Sequence, residues 1–193
     1  MANLRYALLS FTVLLLVGIL VYGGSRAIWH GPKAIENIKA EKATDTALLP
    51  LGSEAPNFIL PGTDGKDYHL RDYRGQKLVL VEIFASWCPH CQASVSALKT
   101  LYKQYGDTLE ILSINAGDKP PMKSTSQEFK AAFGVPYPIL EEPSDSLMAA
   151  YKLSSYPTMY LVDKQGKIIY AHNGELHPSQ SAEIGQLLLK AKQ

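Results

Sequence analysis

Cysteine is scarce in this chain: the 193 residues include only Cys88 and Cys91. A disulfide framework needs several cysteine pairs and a four-thiolate zinc site needs four ligands, so both are excluded. The chain also lacks an excess of charge of one sign, because it has 19 Lys and Arg residues and 18 Asp and Glu residues. Nucleic-acid-binding proteins carry concentrated basic charge, so nucleic acid is not an expected partner. Any thiol chemistry must use this one cysteine pair.

One long hydrophobic run is present near the start of the chain, where residues 6–25 include no charged side chain. About 20 apolar residues are enough to cross a bilayer as a helix, so residues 1–25 are predicted to form a membrane anchor. A cleavable signal peptide is the alternative, since the small residues Gly23, Gly24 and Ser25 follow the apolar region. Residues 26–50 mix charges with alanine and are predicted to be a linker.

Residues 51–193 predict a single α/β domain, because apolar runs of strand length alternate with helical periodicities. The predicted strands are Leu78–Phe84, Leu109–Ile114, Thr158–Val162 and Lys167–Tyr170. The predicted helices begin after Cys88, near Ser124, at Ser146 (as far as Lys152) and near Pro178. Alternating strands and helices followed by a hairpin and a helix predict a mixed central β-sheet flanked by helices.

The sequence Trp87-Cys88-Pro89-His90-Cys91 follows directly after the first of these strands. Proline suits the first position of a helix, where its missing N–H costs nothing, so Cys88 is predicted to be the N-cap. Its sulfur is expected to accept hydrogen bonds from the main-chain N–H groups of His90 and Cys91, and these bonds and the helix dipole favour a thiolate. The His90 imidazole would add to that effect. Cys91, deeper in the helix, is the predicted resolving partner.

Two other interpretations of this spacing are a structural disulfide and half of a metal site. The helix start, Pro89 and His90 have no role in a structural bridge, so redox chemistry is favoured. Glu82 is the second informative residue, because a carboxylate inside an apolar strand is unfavourable unless it has a function. Burial would raise its pKa and let it exchange protons with Cys91 through water, while a water-facing position is the alternative.

These residues resemble the thioredoxin superfamily, and specifically the membrane-anchored TlpA/ResA-like thiol-disulfide oxidoreductases of bacterial envelopes. The resemblance covers about residues 51–193. Its motifs are Gly52-Ser53-Glu54-Ala55-Pro56-Asn57-Phe58, Asp64-Gly65-Lys66, Leu70-Arg71-Asp72-Tyr73-Arg74-Gly75, the strand into Trp87-Cys88-Pro89-His90-Cys91, and Tyr156-Pro157-Thr158. The first motif alone would also fit peroxiredoxins. Those proteins normally carry threonine three positions before the reactive cysteine, whereas Cys88 stands three positions before Cys91, so a peroxidase is disfavoured.

The resemblance implies a thioredoxin-like fold and assigns roles to individual residues. Cys88 becomes the attacking cysteine, Cys91 the resolving one and Glu82 the buried acid. Pro157 matches the family's cis-proline, and Tyr156 before it is expected to contact an extended substrate through its main chain. Trp87, Pro89 and His90 are expected to tune the active site.

The implied function is the reduction of disulfides in exported proteins, such as cysteines of apocytochrome c or of copper sites. The expected partners are protein substrates with cysteine pairs, the membrane itself and a membrane redox protein that recycles the active site. The protein is expected to span the bacterial inner membrane once, with its folded domain in the periplasm. No metal or organic cofactor is expected.

Two departures from the reductase pattern keep an oxidase or isomerase as the alternative. The dipeptide Pro89-His90 is similar to that of the oxidising DsbA proteins, and Ser94 stands where ResA-like reductases often carry glutamate. A copper-binding chaperone is a further alternative, since thiolates and imidazole suit Cu(I) and His172 is a candidate ligand. Such carriers have a different cysteine spacing, so this interpretation is disfavoured.

Overall fold

The computed structural model describes residues 48–117, 125–142 and 145–192. The predicted anchor at residues 1–25 and nearly all of the predicted linker lie outside these ranges. Within them, no helix combines the length and apolar character needed to cross a membrane.

The central sheet has five strands: β3 (Leu78–Phe84), β4 (Leu109–Asn115), β5 (Ile139–Glu141), β6 (Thr158–Val162) and β7 (Ile168–Asn173). Their order across the sheet is β5-β4-β3-β6-β7. β4 pairs in parallel with β3 and with β5, whereas β6 pairs antiparallel with β3 and with β7. The predicted mixed sheet and the predicted β6–β7 hairpin are therefore confirmed.

In the described part of the chain, four α-helices accompany the sheet: α1 (Pro89–Tyr105), α2 (Thr125–Phe133), α3 (Ser146–Ala150) and α4 (Pro178–Lys190). Each lies where the periodicity predicts a helix. The prediction for α3 was wrong at its end, because the helix stops at Ala150 and Lys152 takes a positive φ of 50° that a helix does not accommodate.

The central strand β3 is buried on both faces, which explains its continuous apolar sequence. Side chains alternate across a strand, so Leu80 and Phe84 pack in the cluster that includes Leu98 of α1, while Val81 and Ile83 pack in the opposite cluster. Burial of each such side chain contributes roughly 1.5–3 kcal/mol. The carboxyl end of β3, where the cysteine motif follows, is thereby held in place from both sides.

Short elements on the second face were not predicted from the sequence. Strands β1 (Ile59–Pro61) and β2 (Asp67–His69) form a separate antiparallel hairpin, and a 3₁₀ helix follows at Leu70–Tyr73. Packing also extends slightly before residue 51, since the main-chain N–H of Leu49 donates to the Tyr160 hydroxyl at 3.3 Å.

Candidate active site

Cys88 occupies the turn between β3 and α1. Its main chain is extended, with φ −79° and ψ 120°, and Pro89 begins the helix, so the predicted N-cap position is confirmed. The predicted capping bonds to its sulfur are wrong, because the side chain makes no capping hydrogen bond. Instead, the Cys88 thiol donates to the main-chain oxygen of Tyr156 at 3.6 Å. The sulfur therefore contacts a neighbouring loop.

Cys91 lies one turn deeper and is the more enclosed sulfur, 1% exposed against 6% for Cys88. Burial raises the pKa of the Cys91 thiol well above its ordinary value. A hydrogen bond with Cys88 and the charge of Glu82 act in the same direction, while a main-chain hydrogen bond with Ala85 opposes them. Cys91 is therefore a protonated thiol that needs a base before it can act as a nucleophile.

Glu82 is buried in the middle of β3, only 3% exposed, so the water-facing alternative is wrong. Residues two apart in a strand point to the same face, so Glu82 shares the sheet face of Leu80 and Phe84, which α1 covers. Its carboxylate accepts a hydrogen bond from the Ser113 hydroxyl, on the residue paired with it in β4. Burial raises the pKa of Glu82 to about 7, and the Ser113 bond opposes that rise. Near neutral pH this carboxyl can both accept and release a proton.

The loop before β6 forms the other wall of the site. The Tyr156–Pro157 peptide bond is cis, as the resemblance implies. The Tyr156 hydroxyl donates to the Ala116 main-chain oxygen at 3.2 Å. The Trp87 ring meets the Tyr156 ring edge-on at 6.0 Å, and its indole N–H donates to the Gly117 oxygen at 3.2 Å. Trp87 is 55% exposed, so an open aromatic rim borders Cys88.

His90 lies at the exposed start of α1 and has a partner that the sequence did not predict. Its Nδ1 atom is 3.2 Å from Oε2 of Glu175, which lies between β7 and α4. The two residues are 85 positions apart, so no local spacing could have related them.

The hydrogen-bond partner of the candidate copper ligand His172 is not part of the cysteine motif. Its Nε2 atom lies 3.0 Å from the main-chain oxygen of Glu175, and its ring stacks on Tyr170. In residues 48–117, 125–142 and 145–192, no three His, Cys, Asp or Glu side chains are arranged to hold a metal ion.

The chain is similar to known proteins over most of its length. The model of the AhpC/TSA family matches residues 51–171. The chain belongs to the AhpC/TSA family. Among its relatives in that thioredoxin-like family, thiol-disulfide oxidoreductase ResA of Geobacillus thermodenitrificans is 33% identical over 132 residues, 68% of this chain and 74% of that protein.

Solved structures are also similar to this chain. A putative thiol:disulfide interchange protein DsbE from Chlorobium tepidum has a TM-score of 0.66 and 26% identity, covering 74% of this chain and 98% of that chain. The exposed lipoprotein thioredoxin Etrx1 of Streptococcus pneumoniae has a TM-score of 0.57 and 33% identity. The match covers 70% of this chain and 99% of that chain. The thioredoxin-like fold is thus confirmed, and the protein is a thiol-disulfide oxidoreductase.

Proposed function

We propose that this protein reduces disulfides in exported proteins at the outer face of a bacterial inner membrane. Its N-terminal segment would anchor it as a single-pass membrane protein, with the thioredoxin-like domain in the periplasm. Cysteine pairs of apocytochromes c or of copper sites are the proposed substrates, and a membrane redox protein would return the active site to the dithiol form. The uncharged run at residues 6–25 and the similarity to ResA support this proposal.

The observation that carries the proposal is the unequal placement of the two sulfurs. Cys88 faces the Tyr156 loop at the edge of the site, while Cys91 lies behind it in the same enclosed region as Glu82. Cys88 is 6% exposed and follows the exposed Trp87, whereas Cys91 is 1% exposed, so a substrate sulfur would reach Cys88 before Cys91. This arrangement suits an attack by one cysteine followed by resolution from within.

In the first step, the Cys88 thiolate attacks one sulfur of a substrate disulfide. A Cys88–substrate disulfide forms, the substrate S–S bond breaks, and the second substrate sulfur leaves as a thiolate. The carbonyl of Tyr156 already lies within hydrogen-bonding range of the Cys88 sulfur. Main-chain pairing of an extended substrate along Tyr156 would therefore bring its sulfur next to Cys88.

In the second step, Cys91 resolves the mixed disulfide. The ionised form of Glu82, which is present at neutral pH because its pKa is about 7, accepts the thiol proton of Cys91 through a water molecule. The Cys91 thiolate attacks the Cys88 sulfur, an intramolecular disulfide forms, and the substrate leaves with its second sulfur reduced. Two electrons pass to the substrate, and the cysteine pair is oxidised in exchange.

The test is the equilibrium reduction potential of the Cys88/Cys91 pair, measured in glutathione redox buffers. A potential near that of thioredoxin, about −270 mV, is expected for a reductase fed by a membrane electron donor. A potential near that of DsbA, about −120 mV, would contradict the proposed direction of electron flow.

The second candidate function is a disulfide-donating oxidase or isomerase. The placement of His90 favours it, because an imidazole at the N-terminal end of α1 is positioned to stabilise the thiolate of Cys88 and so the reduced pair. Both candidates use the same exchange steps in opposite directions, and the reduction potential distinguishes them. Replacing His90 with threonine should make the pair less oxidising, and an unchanged potential would contradict this role of His90.

A further inference from the structure

The segment that joins β7 to α4 is bonded to both walls of the active site. The Gly174 N–H donates to the Pro157 oxygen at 2.8 Å, and the Leu176 N–H donates to the Ser94 hydroxyl oxygen at 2.9 Å. The same hydroxyl donates to the His90 main-chain oxygen at 2.8 Å. Ser94 is fully buried and Leu176 is only 3% exposed. These bonds hold the segment in one position beside the first turn of α1.

Glu175 lies within this segment and faces three histidines. Its Oε2 atom is 3.2 Å from Nδ1 of His90, and its Oε1 atom is 3.5 Å from Nδ1 of His177. His172, on β7, contacts the Glu175 main-chain oxygen. The titratable groups around Glu175 are therefore His90 from α1, His172 from β7 and His177 at the start of α4. Each carboxylate oxygen has its own imidazole partner.

We propose that Glu175 is a positioning residue for the active site, acting through His90. The carboxylate holds the imidazole beside the N-terminus of α1 and keeps a proton on Nδ1. Because Cys88 is the N-cap of the same helix, an imidazole held there stabilises its thiolate. Glu175 thus increases the reactivity of Cys88 through the position of His90.

This inference rests on the proposed attack by Cys88, but it does not depend on the direction of electron flow. Two effects of Glu175 must be separated. Through His90, the carboxylate favours the thiolate, whereas its own negative charge disfavours a thiolate nearby. The first effect requires the imidazole. The second effect persists when the imidazole is removed.

The experiment measures the rate at which iodoacetamide alkylates Cys88 in the reduced full-length protein, from about pH 5 to about pH 9, spanning the titration range of histidine. The labelled cysteine is identified by mass spectrometry of peptides. The variants are Glu175→Gln, His90→Ala and the two combined. Glu183→Gln is the matched control, because it removes the same charge from an exposed position on α4.

Glu175→Gln should lower the alkylation rate near pH 7 by about two- to fivefold, the size that an exposed ion pair supports. In the His90→Ala background, Glu175→Gln should cause no loss at any pH. Glu183→Gln should leave the rate unchanged. An unchanged or faster rate near pH 7, or an equal loss in the His90→Ala background, would overturn the inference.

The same data separate this inference from the proposed function. If Cys91 is alkylated before Cys88 in the unmodified protein, the assignment of Cys88 as the attacking cysteine is refuted, and the inference falls with it. If Cys88 reacts first but Glu175→Gln has no effect, only the role of Glu175 is refuted.

Discussion

Glu82 should make the stability of the fold depend on pH, and a Glu82→Gln substitution should remove that dependence. Burial raises its pKa from the ordinary value of 4.5 to about 7. As the pH rises, the unfolded chain ionises at this position first, because its carboxyl is solvated. The stabilisation of the folded state by the bound proton is therefore complete below pH 4.5 and is lost as the pH rises to about 7.

The size of the effect follows from the difference between the two pKa values. One pKa unit corresponds to about 1.36 kcal/mol, so the ionised Glu82 should lower the free energy of unfolding by about 3 kcal/mol above neutral pH. Glutamine has nearly the same shape, has an amide oxygen to accept the Ser113 hydroxyl and carries no charge. Glu82→Gln should therefore be insensitive to this titration.

Urea unfolding of the reduced protein, followed by circular dichroism, measures this effect. The free energy of unfolding of the wild type minus that of Glu82→Gln should fall by about 3 kcal/mol between pH 4.5 and about pH 8. Other titrating groups are common to both proteins and cancel in the difference. Ser113→Ala should increase the wild-type dependence, because it removes the hydrogen bond that opposes the rise in pKa. A difference that is constant with pH would refute the argument.

Two further predictions concern the helix that carries the cysteines. Cys91→Ser should accumulate a mixed disulfide between Cys88 and a disulfide-containing substrate protein, visible on a non-reducing gel, and the absence of any adduct would contradict catalysis by this pair. Ser94→Ala should lower the free energy of unfolding by about 1–3 kcal/mol in urea titrations, because the buried N–H of Leu176 loses its acceptor. Ser96→Ala, on the exposed side of the same helix, is the control, and equal losses in the two variants would rule out that explanation.

Features that depend on neighbouring residues were predictable from the sequence. The continuous apolar run of β3 predicted a strand buried on both faces, and the position of Pro89 predicted the start of α1. The turn Asp163-Lys164-Gln165-Gly166 between apolar runs predicted the β6–β7 hairpin. Each is set by steric preferences and hydrophobic periodicity that act over a few residues.

Strands too short to show a repeating pattern were missed. Strands β1, β2 and β5 have three residues each, too few to display alternation. Their conformation depends on main-chain partners supplied by distant segments, as β5 pairs with β4. The sequence around them therefore does not distinguish a strand from a loop.

The active site combines both kinds of information. The sequence by itself determined which residues carry the thiol chemistry, because only Cys88 and Cys91 have thiols and their spacing places them on one helical turn. Only the tertiary structure decided what surrounds them. The Cys88 thiol contacts Tyr156 because that loop presents a carbonyl oxygen. Glu175 reaches His90 because the N–H of the next residue, Leu176, donates to the Ser94 hydroxyl oxygen. Such contacts join residues far apart in the chain, and the packing of the whole domain sets their distances.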